Sequence, residues 1–284
     1  MRYSYHRPAS LDEASDMAAA LPNARFIQGG TDLMVRIGQG RERPGHLISL
    51  RRIGELTTID ANREIRIGAG ATLSDTLAHP DIRRRLPALA QSLAALGSRQ
   101  VRNMGTIGGN LCNASPAADT APPLLVYDAR VEIRNGRAIR CLPLAEFLLG
   151  PGKTALQAGE ILVAIVVPDP PEGTGSAFIR RGRVTMDLAI ASVAASVRLN
   201  GGASIAIRVA AGAVAPTPRR LTAAEAVATP TDDWSRAAIA AREQIEPITD
   251  LRASAEYRRH LTGILVRRAL TMAAAASGQW SIDR

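Results

Sequence analysis

Cysteine is scarce in this sequence: only Cys112 and Cys141 occur in 284 residues. Two thiols can neither build a disulfide framework nor supply the four ligands of an iron–sulfur or structural zinc site. Any such cluster in the protein's chemistry must sit on another chain. Histidine is also rare, with four residues. His6, His46, His79 and His260 lie far apart, with no metal-ligand spacing between neighbours, so no metal site is expected. Aromatic residues are 3% of the chain, too few for the stacking platforms that bind single-stranded nucleic acid. No apolar run approaches the roughly 18 residues of a membrane span, so none is expected. The opening, Met1 to Pro8, lacks the apolar core of a secretory signal, and a cytoplasmic location is the expectation.

Lysine is missing almost entirely. Lys153 is the sole lysine among 35 basic residues, which against 26 acidic ones leave a net charge of +9. Clusters such as Arg83-Arg84-Arg85, Arg219-Arg220, Arg258-Arg259 and Arg267-Arg268 are scattered, and no nucleic-acid-binding spacing accompanies them. Biased genome composition, with some docking to an acidic partner surface, accounts for the charge better than nucleic acid does. Hydrophobic residues at 46% and charged residues at 21% are ordinary for a globular chain. The length allows about two domains.

The pattern places an α+β mixture throughout. Ser10-Leu11-Asp12-Glu13 reads as a capping box ahead of a helix ending near Leu21-Pro22. Arg25 to Gln28, His46 to Leu50, Leu56 to Ile59 and Glu64 to Ile67 read as strands, and Pro87 opens a helix that runs to Leu96. Asn135-Gly136 marks a hairpin between Val131–Arg134 and Arg137–Leu142; Glu160 to Val167 is an apolar strand stopped by Pro168. The Pro/Gly-rich stretch Asp169 to Gly175 is the expected domain boundary, separating residues 1–175 from 176–284. Beyond it, strands near 176–183, 190–199 and 203–214, with a hairpin at Asn200-Gly201-Gly202, precede helices near 221–228, 233–245 and 254–276. The second part is thus a small antiparallel sheet packed with helices. The last helix carries a Leu261/Ile264/Leu265/Ala269/Met272 face, suited to a core or a subunit interface.

Two glycine pairs carry the chemistry. Ile27-Gln28-Gly29-Gly30-Thr31-Asp32-Leu33 and Asn103-Met104-Gly105-Thr106-Ile107-Gly108-Gly109-Asn110-Leu111 both read as a strand running into a polar turn. Adjacent glycines remove the Cβ atoms that keep a ligand at a distance, and successive N–H groups can converge on a phosphate. Thr31, Thr106 and Asn110 could add side-chain hydrogen bonds. The plain alternative is a pair of ordinary tight turns. Ile65 to Leu73 imitates a dinucleotide fingerprint, but Leu73 stands where a glycine is required and no βαβ unit flanks it. The irregular stretch Leu111 to Pro123 includes Asp119, which could accept from ribose hydroxyls or simply cap a helix.

The run from Arg99 to Asp119, with Gly29 to Leu33 and Ile67 to Leu73, resembles the FAD-binding medium subunit of molybdenum hydroxylases. This family includes the flavin subunits of bacterial xanthine dehydrogenase, carbon monoxide dehydrogenase and quinoline oxidoreductase. The order and spacing match along nearly the whole chain. The resemblance implies a fold of the p-cresol methylhydroxylase/vanillyl-alcohol oxidase (PCMH/VAO) type, with subdomains of about 1–55 and 56–175, followed by a C-terminal α+β domain. It implies FAD lying between the subdomains, with its pyrophosphate on the two glycine loops. Carried over by position, Phe26, Ile27, Gln28, Gly29, Gly30, Thr31, Asp32 and Leu33 form the first loop, and Leu96 lies near the flavin. Thr106, Ile107, Gly108, Gly109 and Asn110 form the second loop, joined by Asn113 and Ser115. Asp119 faces the ribose or diphosphate, Ile161 and Leu162 pack on the isoalloxazine or adenine side, and Arg180 and Arg183 lie near the flavin edge.

The resemblance has departures. Ile179 replaces a lysine of the animal xanthine oxidoreductases, and Leu188 replaces an aromatic residue of the carbon monoxide dehydrogenases. Gln28 stands where a small residue is commoner. No histidine lies in either loop, so the FAD is expected to be non-covalent, and Cys112 reads as a small buried residue. The cysteines that bind a [4Fe–4S] cluster in one branch of the family are absent.

The function implied is an oxidoreductase subunit that passes electrons from partner [2Fe–2S] clusters through FAD to NAD, oxygen or another acceptor. A large molybdopterin subunit and a small iron–sulfur subunit would complete a dimer of heterotrimers, and no catalytic acid or base is assigned to this chain. Two other readings remain at this stage: a self-contained FAD oxidoreductase of the same fold, similar to the peptidoglycan precursor reductases, and a flavin-free binding module.

Overall fold

The computed structural model of the chain describes residues 3–200, 203–230 and 233–278. It begins with strand β1 (Ser4–His6) and helix α1 (Leu11–Ala20). The Ser10 hydroxyl accepts from the Glu13 N–H, and the Glu13 carboxylate accepts in turn from the Ala9 N–H at 2.7 Å, so α1 starts where the sequence places it. Strand β2 (Ala24–Ile27), helix α2 (Leu33–Gly38) and strand β3 (His46–Ser49) follow. The three strands are parallel in the order β1-β3-β2, so β2 delivers the first glycine pair at the sheet's C-terminal edge. The same pairing brings the ring nitrogens of His6 and His46 to 3.1 Å, a contact that their 40-residue separation hides.

Next come β4 (Ile59–Asp60) and β5 (Glu64–Gly68), then six short helices: α3 (Leu73–Ala78), α4 (Pro80–Arg85), α5 (Pro87–Ala95), α6 (Arg99–Met104), α7 (Ile107–Cys112) and α8 (Ala121–Val126). Of these, only α5 was legible in the sequence. Pro80 and Pro87 sit in the first turns of α4 and α5 and divide one helical stretch into pieces shorter than the window in which a helical period shows. The stretch expected as a strand at Leu56 to Ile59 is instead the end of a 3-10 turn, Gly54–Leu56, followed by β4.

Strands β6 (Arg130–Asn135) and β7 (Ala138–Pro143), helix α9 (Leu144–Phe147), the small pair β8 (Leu148–Gly150) and β9 (Lys153–Thr154), and strand β10 (Ile161–Pro168) complete this half. Strands β4-β5-β10-β6-β7 form an antiparallel sheet. Its middle strand, β10, is buried from Ile161 to Val167, which explains an unbroken apolar run rather than an alternating one. The Asn135-Gly136 hairpin forms, with Gly136 at φ +54°.

The remainder is β11 (Thr174–Arg181), β12 (Ala191–Asn200), β13 (Ala203–Gly212), β14 (Arg219–Arg220), α10 (Thr222–Val227), α11 (Ser235–Gln244) and α12 (Ala255–Ala276). The four strands are antiparallel in chain order. Gly201 and Gly202 of the expected hairpin lie outside the described residues, but Asn200 pairs with Ala203 across it. This sheet packs apolar residues into a core on each face. Phe178, Ala194 and Ala210 join the core of α5, α8 and β10, while Ala177, Val193, Ala195, Val209 and Ala211 join the core beneath α12. On α12, Leu261, Leu265 and Ala269 are buried whereas Ile264 and Met272 are exposed, so the expected apolar face is only partly core. Among the described residues no helix is long and apolar enough to cross a membrane.

Candidate functional site

The two glycine pairs meet, but they are built differently. A Cβ added to Gly29 would lie 2.0 Å from the Met104 carbonyl oxygen and 2.9 Å from Gly105 Cα, so the first loop presses directly on the second. Gly30 has φ +74°, a left-handed turn that glycine takes without strain. Among the described residues, the N–H groups of Gly29, Gly30, Thr31 and Asp32 reach no protein acceptor, while Met34 and Arg36 bond back to Gly30 and Asp32.

The second pair departs from expectation. It does not follow a strand; Gly108 and Gly109 lie inside the short helix α7. The Ile107 and Gly108 N–H groups donate to Ala71 and Ala69 carbonyls at 3.1 and 2.9 Å. Gly109 donates to the Thr106 hydroxyl at 3.1 Å and Asn110 to the Thr106 carbonyl at 2.9 Å. These donors are already spent, so the cluster of converging N–H groups expected here does not exist. A Cβ on Gly108 would come within 2.5 Å of Ala69 Cβ. The false dinucleotide fingerprint is thus the floor on which the second pair packs.

Two cavities meet at these loops. The larger, about 480 Å³, runs along the first loop, the end of α5, α7 and the Asn113–Asp119 turn to Arg180. The smaller, about 120 Å³, is an apolar slot walled by Leu50, Leu56, Ala69, Leu156, Ile161 and Leu162. Phe26, Ile27, Gln28, Thr106, Gly109 and Cys112 line both, making one elongated site. Of the residues singled out from the sequence, Phe26 to Leu33, Leu96, Thr106, Gly109, Asn110, Asn113, Ser115, Asp119 and Arg180 line the larger cavity. Gly108, Ile161 and Leu162 line the smaller.

Two do not belong. The Ile107 side chain is fully buried in the core and lines neither cavity, because α7 turns it inward. Arg183 lines neither cavity and is bound to Asp187 at 2.6 Å. The sequence reading missed Arg36, whose guanidinium donates to Asn113 Oδ1 from a point 77 residues away, and Met186 and Asp187, which close the cavity's far end. No local pattern marks any of the three.

Charge at the site centres on Asp119. Its Oδ2 accepts from Arg180 Nη1 at 2.8 Å, and the same guanidinium reaches the Ala95 and Asp187 carbonyls. Asp119 Oδ1 is buried without a partner among the described residues, as is Gln28 Oε1. Burial pushes the Asp119 carboxyl up to about 6 although Arg180 opposes it. Burial also pushes the Cys112 thiol up to about 12, so it is a neutral small group rather than a nucleophile. Among the described residues no cluster of three metal-ligating side chains occurs.

The family model of the FAD binding domain in molybdopterin dehydrogenase matches residues 1–170, and that of the CO dehydrogenase flavoprotein C-terminal domain matches residues 176–273. The chain belongs to this family. It is a FAD-binding medium subunit of the molybdenum hydroxylases, a component of oxidoreductases. The xanthine dehydrogenase FAD-binding subunit of Escherichia coli O157:H7 is 36% identical over 283 residues, covering 97% of each chain. The carbon monoxide dehydrogenase medium chain of Hydrogenophaga pseudoflava is 34% identical over 96% of this chain and 97% of its own. The solved structure of that organism's carbon monoxide dehydrogenase, a form lacking the Mo-pyranopterin moiety of its molybdenum cofactor, superposes with a TM-score of 0.94. It is 35% identical and covers 97% and 98% of the two chains. Quinoline 2-oxidoreductase from Pseudomonas putida 86 gives a TM-score of 0.92 at 29% identity over 99% of both.

The site's residues suit FAD independently of these likenesses. A small apolar slot fits a planar ring, and the unspent N–H groups of the first loop suit phosphate oxygens. The orphaned buried oxygen of Asp119 needs a donor such as a sugar hydroxyl.

Proposed function

We propose that this chain is the flavin relay of a heterotrimeric molybdenum hydroxylase. In this reading, substrate is hydroxylated at a molybdopterin centre on a large subunit, and [2Fe–2S] clusters on a small subunit deliver the electrons. Bound here, FAD would supply the redox chemistry that joins those clusters to NAD, oxygen or another acceptor. Two such trimers would form the dimer expected for the family. The observation that carries the reading is the elongated double cavity, which offers unspent donors and acceptors but, among the described residues, no paired nucleophile and base.

The chain's own residues bind and orient. Gly29, Gly30, Thr31 and Asp32 would hold the diphosphate through backbone N–H groups, with Thr106 and Asn110 adding side-chain contacts. Gly109 keeps the wall low where the two cavities join. Ile161 and Leu162 would cover one ring system, and Leu96 would lie against the other. Asp119 would accept from a hydroxyl of the cofactor, its position fixed by Arg180.

The test is reduction by the complex's organic substrate. The isolated flavin-loaded chain, free of molybdenum and iron, should show no bleaching of its flavin band. Adding the molybdenum and iron–sulfur chains should permit it. Bleaching of the isolated chain at a comparable rate would overturn the relay and support a self-contained oxidoreductase. Absence of any bound flavin would overturn the site itself.

A further inference from the structure

A third cavity, of about 300 Å³, opens where the Pro168–Pro171 connection passes the outer end of the C-terminal sheet. It shares no lining residue with the two cavities of the flavin site. Its floor is one face of that sheet. In register, Thr174 faces Arg198 and Ser196 faces Arg208, so two hydroxyls and two guanidinium groups stand on a common surface. Tyr127, Asp128 and the prolines form the opposite wall.

The charges around it are matched with one exception. Asp169 accepts from Arg85 at 2.7 Å, and Asp128 accepts from Arg220 at 2.8 Å and from Arg208. Arg220 also binds Glu225. The Arg198 side chain has neither an ion pair nor a hydrogen bond among the described residues, and its Nε is buried with no acceptor. The enclosed Nε–H without a partner is a standing cost of the fold, while the terminal guanidinium nitrogens, which also lack an acceptor among the described residues and are not enclosed, are what the side chain offers to the cavity. The guanidinium fork matches a planar oxyanion, and Thr174 and Ser196 supply neutral donors beside it. The carboxylates of Asp128 and Asp169 line the same space and disfavour a doubly charged ligand. The prolines and Tyr127 beside them favour an organic group behind the anion.

We infer that this cavity is a binding site for a small organic monocarboxylate, held by Arg198 with Thr174 and Ser196, and separate from the flavin site. The inference does not rest on the proposed electron relay. The test uses the full chain with its flavin, titrated at constant ionic strength with benzoate, acetate or inorganic phosphate and followed by calorimetry and thermal unfolding. Benzoate should bind saturably, and at least about tenfold more tightly than phosphate. Arg198→Gln should weaken benzoate at least about tenfold while flavin content stays unchanged. Thr174→Val, a milder change on the same face, should weaken it severalfold and serves if Arg198→Gln does not fold. No saturable benzoate binding, or undiminished binding in whichever variant is measured, overturns the site. Phosphate binding as tight as benzoate overturns the monocarboxylate assignment.

Discussion

Gly29 and Gly109 both belong to the glycine pairs, yet they should fail in opposite ways. In Gly29→Ala the new methyl would lie 2.0 Å from the Met104 carbonyl oxygen and 2.8 Å from its carbon, well inside ordinary contact. Both neighbours are backbone, so no rotamer change relieves the overlap and the two loops must part. Overpacking of this kind costs roughly 1–3 kcal/mol, and the rigid neighbours place it at the upper end. At about 2–4 °C per kcal/mol, the flavin-free protein should lose roughly 6–12 °C in Tm. In Gly109→Val the Cβ meets only the Thr106 hydroxyl, at 2.9 Å, and the branches extend into cavity space. Displacing that hydroxyl sacrifices a helix cap, about 1 kcal/mol, or roughly 2–4 °C. Flavin occupancy should nevertheless fall at least tenfold. The assay is flavin absorbance per chain, together with thermal unfolding of flavin-free samples, which removes stabilisation by the ligand from the comparison. A flavin-free Gly29→Ala within about 1 °C of the parent, or a Gly109→Val with full flavin content, would refute the reasoning.

Asp119→Asn should flatten a pH dependence. Burial raises its carboxyl to about 6 from an ordinary 3.8, so the native state keeps a proton that the unfolded chain releases. Stability of the flavin-free parent should therefore fall as pH rises from about 4 to 6, and denaturant titrations across that window should show the fall lost in the variant. Tyr127→Phe should cost about 1–3 kcal/mol in urea unfolding, because the phenol meets Ser176 Oγ at 2.6 Å and accepts from the Ala88 N–H at 3.2 Å in a buried seam. Acid precipitation should leave the flavin in the supernatant; flavin retained in the pellet would contradict the non-covalent assignment.

What the sequence made legible was whatever local chemistry enforces. The Ser10 cap, the Asn135-Gly136 turn, the central strand β10 and the long α12 all follow from rules that span a few residues. Apart from α5, the short helices between Leu73 and Val126 did not, since each is set by packing rather than by its own period. The candidate site divides in the same way. Its glycines were visible, but not that Gly108 serves packing on Ala69 while Gly109 faces the cavities. Arg36 and Asn113, or His6 and His46, come together only once the topology does.

The C-terminal sheet serves two interiors, as a party wall serves two houses. Phe178, Ala194 and Ala210 plaster one side, and Val193, Val209 and Ala211 the other. A fragment ending near residue 175 would strip the cover from α5 and from α8, whose six residues are all buried. Such a fragment would present a broad apolar surface and aggregate rather than persist as a small flavoprotein. The two halves should therefore melt together and exchange their buried amides together, although one builds most of the cavity and the other contributes chiefly its edge.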